Sequence, residues 1–93
     1  MSDILLAVCR QGATVEDIKH CLDNGDDVHT KGDKGRMPLH YAAHAGTAEV
    51  VQYLISKGAE VNTRDEGGMA PIDYAKVKGR TEIVACLRAN GAR

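Results

Sequence analysis

Gly35-Arg36-Met37-Pro38-Leu39-His40-Tyr41-Ala42-Ala43 returns 33 residues later as Gly68-Met69-Ala70-Pro71-Ile72-Asp73-Tyr74-Ala75-Lys76. The same shift carries Gly46 onto Gly79, Glu49 onto Glu82, Val51 onto Val84, Leu54 onto Leu87 and Gly58-Ala59 onto Gly91-Ala92. Run backwards, it sets Gly25 on Gly58, Val28 on Val61, Ile18 on Val51 and Glu16 on Glu49. Leu5, Val8 and Gly12 fit Leu39, Ala42 and Gly46 at a shift of 34, so one extra residue sits near Ala13-Thr14. A period of this length marks a repeat array, whose units bury their apolar faces only by stacking on one another.

Each unit reads as helix, tight turn, helix and a glycine-rich hairpin. Pro38 takes a first-helical position, where its missing N–H is harmless. Leu39, Ala42 and Ala43 then form one face, and Gly46 ends the short helix. Thr47 can cap the next helix, and Glu49 in its first turn suits the helix dipole. Val50, Val51, Leu54 and Ile55 recur at three- and four-residue spacing, which predicts one buried stripe. Gly58 supplies the left-handed residue that stops this helix. A hairpin over residues 62–68 then leads to Pro71 and the next unit.

With the period in place, the quoted stretch resembles the ankyrin signature G-x-T-P-L-H-x-A-A. Gly58-Ala59-Glu60-Val61-Asn62 resembles the G-A-D-V-N that follows the second helix in that family, and Asp65-Glu66-Gly67-Gly68-Met69-Ala70-Pro71 resembles its D-x-x-G-x-T-P. The resemblance implies an all-α ankyrin-repeat solenoid of about three helix-turn-helix units with β-hairpin-like loops. The chain then forms a single domain, residues 1–93, with units at about 1–31, 32–64 and 65–93. Residues 35–62 and the start of the chain resemble a small free-standing member of the family. Met37 and Ala70 stand where the family has a capping Thr, a loss expected to cost about 1 kcal/mol each. Gly32 replaces the hairpin Asp of the middle unit, whereas Asp65 keeps it in the last. Asp73, Lys76 and Arg88 replace His40, Ala43 and Ile55, as expected of a terminal unit facing water, so the stack is expected to be complete at that end.

Composition agrees with small helices in layers. The chain is 93 residues long and 43% hydrophobic, yet it has no Phe or Trp, and its aromatics are Tyr41, Tyr53 and Tyr74. A core of Ala, Val, Leu and Ile requires backbones to approach closely. The net charge is −1 with both signs interspersed, which gives no field for nucleic acid or an anionic membrane. Cys9, Cys21 and Cys86 are odd in number and lack metal-type spacing. No stretch approaches the roughly 20 apolar residues of a membrane span. The apolar run Ile4-Leu5-Leu6-Ala7-Val8 is too short for a signal-peptide core. The expectation is a reduced, soluble protein of the cytoplasm or nucleus.

No residue pattern carries catalysis, and no cofactor or metal is expected. His40 holds the family's P-L-H position, where the resemblance implies a structural hydrogen bond to hairpin backbone. His40 and His44 stand four apart in the manner of a zinc pair, but no Glu follows His40 and no third ligand is evident. His20 is expected on an exposed helix side, and His29 on the hairpin. A calcium loop beginning at Asp23 would place Val28 where Gly is needed and Lys34 where Glu is needed, so Asn24-Gly25 reads as a helix stop. Gly32-Asp33-Lys34-Gly35 is a hairpin tip, since a lone GxxG is weak evidence for phosphate or RNA contact. Asp33, Asp65 and Glu66 interrupt the positive charge of Lys31, Lys34, Arg36 and Arg64, and no aromatics interleave them. Leu54 followed by Glu60-Val61-Asn62 resembles the context in which ankyrin proteins of animals are hydroxylated on asparagine; the alternative is an Asn62 that bonds within its own hairpin.

The family resemblance implies a concave side lined by hairpin tips and first helices, on which a protein partner sits. The positions carried over by motif are Arg10 and Gln11 from the first helix, Asp33, Lys34, Arg36 and His44 from the middle unit, and Glu66, Met69, Val77 and Lys78 from the last. Arg and Met are enriched at interfaces, and Arg36 and Met69 share one repeat position. Met69 and Val77 are apolar where solvent exposure is expected. The expected function is that of a monomeric adaptor or inhibitor, not an enzyme, binding neither nucleic acid, membrane nor metal. The alternative is an accessory subunit or fragment of a larger assembly, such as a regulatory part of an enzyme.

Overall fold

A computed structural model describes residues 5, 9, 14–25 and 27–92. Among these residues five α-helices follow in order, α1 Val15–Asp23, α2 Pro38–Ala45, α3 Ala48–Ser56, α4 Pro71–Val77 and α5 Thr81–Ala89, with a short 3-10 turn at Asp33–Gly35. Leu5 and Cys9, one helical turn apart, also have helical backbone and are buried. No strand occurs among the described residues. The hairpins close on single backbone pairs at equivalent places: Gly32 N–H donates to the Arg36 carbonyl at 2.8 Å, and Asp65 N–H to the Met69 carbonyl at 2.9 Å.

Two layers result. The first helices of successive units pack together, α2 on α4, and the second helices stack as α1, α3 and α5. The 33-residue period places equivalent residues at equivalent depth. Leu39 and Ile72, Ala42 and Ala75, and Leu54 and Leu87 are all buried. Val51 is fully buried, and Val84 packs half-buried against the same core. Lys76 and Arg88 are exposed where Ala43 is buried and Ile55 half-buried.

The helix ends obey the sequence in most places. Thr14 and Asp17 form a reciprocal capping box on α1, and Thr47 Oγ1 accepts from Val50 N–H at 3.2 Å. Gly25 and Gly58 close α1 and α3 in the left-handed region, with φ of 99° and 101°. Gly46 is required for a different reason: a Cβ there would lie 2.7 Å from the Ala42 carbonyl oxygen. Met37 and Ala70 make no side-chain cap, but the loss is offset from the other direction. His40 Nδ1 accepts from Met37 N–H at 3.0 Å, and Asp73 Oδ2 accepts from Ala70 N–H at 2.9 Å. The third helix residue thus reaches back to the cap residue, which is half of a capping box. Arg80 replaces Thr47 at the start of α5 and reaches across to the preceding unit, where Nη1 donates to the Gly46 carbonyl at 2.9 Å.

Candidate functional site

His40 is the polar centre of the stack, 1% exposed. Because Nδ1 accepts from Met37, the proton sits on Nε2, which donates to the Met69 carbonyl at 2.9 Å. One imidazole therefore caps its own helix and ties it to the next hairpin. Burial pushes its pKa down, against the opposing pull of the Met69 hydrogen bond, so the ring is held neutral. With both nitrogens occupied, His40 has no lone pair to offer a metal, and no metal-ligating cluster occurs among the described residues. The bond to hairpin backbone implied by the family resemblance is present.

Around Tyr74 the second and third units are joined by charge. Tyr74 donates its hydroxyl proton to Asp65 Oδ2. Arg36 Nε donates to the Tyr74 oxygen at 3.1 Å and lies 3.8 Å from Asp65 Oδ2. The second Asp65 oxygen accepts from Gly67 N–H at 2.9 Å and Met69 N–H at 3.0 Å. Burial pushes the Asp65 pKa up, but these hydrogen bonds outweigh it and hold the carboxyl below its usual range. Gly32 at the equivalent place in the middle unit cannot supply such a carboxylate, so among the described residues the arrangement occurs where the hairpin of the last unit meets that of the middle unit. The Arg36 guanidinium carbon stands 5.9 Å from the Tyr74 ring centre, and His40 and His44 meet that ring edge-on at 5.6 and 6.2 Å.

These side chains open into a cleft of about 170 Å³ between α2 and α4, lined by Arg36, His40, Tyr41, His44 and Tyr74. His44 is exposed at its edge. Partial burial lowers the His44 pKa, and the nearby charges of Lys78, Arg80 and Arg36 lower it further. The α2/α4 face is thus positive at this point.

The residues singled out from the sequence fall into several groups. Arg36 and His44 line the cleft, Lys78 lies near enough to His44 to act on its charge, and the Met69 backbone carbonyl accepts from His40. Met69 is half-buried instead of exposed, because the residue is drawn in by His40 and Asp65. Val77 is 74% exposed, as expected, and lies one turn from Tyr74 on α4. Lys34 and Glu66 are exposed on adjacent hairpins, linked by a 2.9 Å bond from Glu66 N–H to the Lys34 carbonyl. Lys34 adopts a left-handed conformation, φ 60°. Asp33 is placed in the turn by its backbone, its side chain lying outside the description, and Arg10 and Gln11 also lie outside the described residues. His20 and His29 are exposed. The Asn62 amide crosses to the next unit, donating to the Gly91 carbonyl at 3.1 Å. Sequence reasoning missed Tyr41 and Tyr74 as cleft residues and Arg80 as part of the positive surface. The retained Asp65 opposite Gly32 was the one signal for the Tyr74 arrangement.

A family model described as ankyrin repeats (3 copies) matches residues 4–93. No curated protein matches the chain significantly.

Proposed function

The chain belongs to the ankyrin-repeat family, and from that premise we propose that it is a non-enzymatic protein–protein interaction module, an adaptor or inhibitor. Ankyrin repeats generally bind proteins and are typically not enzymes. The partner sits on the α2/α4 face and the hairpin tips. The observation that carries this reading is Val77, a large apolar side chain 74% exposed, beside a cleft of arginine, tyrosine and histidine. Arg and Tyr are enriched among interface hot spots, and an exposed valine near them adds apolar contact area. Lys34, Glu66 and Lys78 extend the surface as exposed charges.

The protein acts as one domain of three units and as a monomer in the cytoplasm or nucleus. Thiols left unbridged at Cys9 and Cys86 support a reducing compartment. No helix among the described residues is long and apolar enough to cross a membrane. The test is capture of the partner from the native cell, followed by binding measurements with a Val77→Asp, Lys78→Glu double variant. Both side chains are exposed, so the fold should persist. A loss of binding of at least tenfold supports the face; undiminished binding refutes it.

A second reading, an accessory part of a larger assembly, is favoured by one observation. The outer side of the last unit holds an open cleft of about 440 Å³ whose lining includes Ala75, Val84 and Ala85 together with Lys76, Arg80 and Arg88. On that reading, the melting temperature of the isolated domain rises when the missing element is supplied.

A further inference from the structure

We propose that the α2/α4 cleft receives a carboxylate side chain from an acidic segment of the protein partner, held between Arg36, His44 and Lys78. The inference rests on the preceding reading that this face binds a protein, and it names the chemistry of what binds there.

Three observations converge on the cleft. Its volume of about 170 Å³ corresponds to five or six waters at about 30 Å³ each. That is room for one side chain. Its lining supplies donors and no carboxylate to compete with a guest acid. Arg36 spends Nε on Tyr74, and its side chain remains 32% exposed toward the opening. The carboxylate that partners it, Asp65, is 3% exposed and lies behind it, with its oxygens taken by Tyr74, Gly67 and Met69. An arriving carboxylate therefore meets the guanidinium and not the acid. Planar guanidinium groups suit two-point contact with carboxylates.

The charges facing His44 from neighbouring elements are also one-sided. Arg36 lies before α2, Lys78 ends α4, and Arg80 begins α5, all close enough to disfavour a proton on His44. Arg80 is tied to Gly46, and Lys78 is exposed. Glu66, an exposed acid on the neighbouring hairpin, packs over Gly35. Such a set lowers the energy of a negative guest and, by the same linkage, lets that guest raise the affinity of His44 for a proton. Val77, exposed three residues along α4 from Tyr74, offers an apolar contact for the residue next to the acid. By contrast, the cleft at the ends of α1 and α3 has Asp23 and Asp27 in its lining and does not favour an anion.

The test uses the full chain, isotopically labelled, and two capped hexapeptides: alternating Glu and Leu, and the same with Gln for Glu. The Glu peptide should shift the amide signals of Tyr41, His44, Tyr74 and Lys78 and move the His44 ring titration to higher pH. The Gln peptide should bind at least fivefold more weakly. Lys78→Glu and His44→Gln, each at an exposed position, should weaken the Glu peptide at least threefold with unchanged melting. Equal binding of the two peptides at these residues overturns the acidic preference but leaves the binding face standing. Shifts confined to Leu22, Tyr53 and Lys57 overturn both. Binding of neither peptide at millimolar concentration, or full Glu-peptide affinity in both variants, overturns the inference alone.

Discussion

Replacing His40 by Ala removes two hydrogen bonds and opens a void in one step. The Met37 N–H lies in a residue 5% exposed, and the Met69 carbonyl is turned inward to meet Nε2 at 2.9 Å. Leaving each buried group unsatisfied costs about 1–3 kcal/mol, and deleting a 1%-exposed ring adds a cavity term. The expected loss is about 3–6 kcal/mol, against a total stability on the order of 5–10 kcal/mol for a domain of this size. The variant should therefore be partly unfolded at 37 °C. His40→Asn offers a graded comparison. Its carbonyl can still accept from Met37, but it is too short for Met69, so about half of the loss should return. Urea denaturation followed by circular dichroism at 222 nm measures all three proteins. A loss below 1 kcal/mol for His40→Ala would refute the view that this ring joins the units.

Other consequences follow from single contacts. Gly46→Ala sets a methyl 2.7 Å from the Ala42 oxygen and should cost about 1–3 kcal/mol, read as a lower urea midpoint. Tyr74→Phe strips a hydrogen bond from the buried Asp65 carboxylate and should cost about 2 kcal/mol, with the near-ultraviolet dichroism otherwise native. Burial holds His40 and His44 below the ordinary histidine value of 6.5, so the unfolded chain takes up more protons as pH falls through that value. Stability is then full above 6.5 and declines as pH falls toward the folded values. Asp65, held below 3.8, adds a further loss only at still lower pH. Urea midpoints at pH 7.5 and 5.5 show the first decline, and His40→Asn should reduce it. Burial pushes the Cys9 thiol up to about 12, so a thiol reagent at pH 8 should label half-buried Cys86 first and Cys9 only on unfolding.

The repeat made the five helices and most of their ends readable. Pro38, Pro71, Thr47, Gly46 and Gly58 act through backbone chemistry confined to one turn, and that chemistry does not depend on neighbouring units. Stripes such as Val51 and Leu54 were readable for the same reason, since their spacing fixes which side of the helix is apolar. The missing Thr caps looked like plain losses because the offsetting bonds from His40 and Asp73 run backwards along the helix. The cleft was harder to foresee. Arg36 meets Tyr74 across 38 positions, and the meeting depends on how one unit is rotated upon the next. Family position marked Arg36 and Met69 as free surface, yet Asp65 and His40 draw both toward the junction.

The central claim is that the α2/α4 side, not the second-helix layer, receives a protein. Hydrogen exchange of the complex with the captured partner measures this directly. Protection is predicted at the 33–36 and 66–69 hairpins and along α4 through Val77 and Lys78, with α3 and α5 exchanging as in the free chain. Protection confined to α1, α3 and α5 would contradict the account.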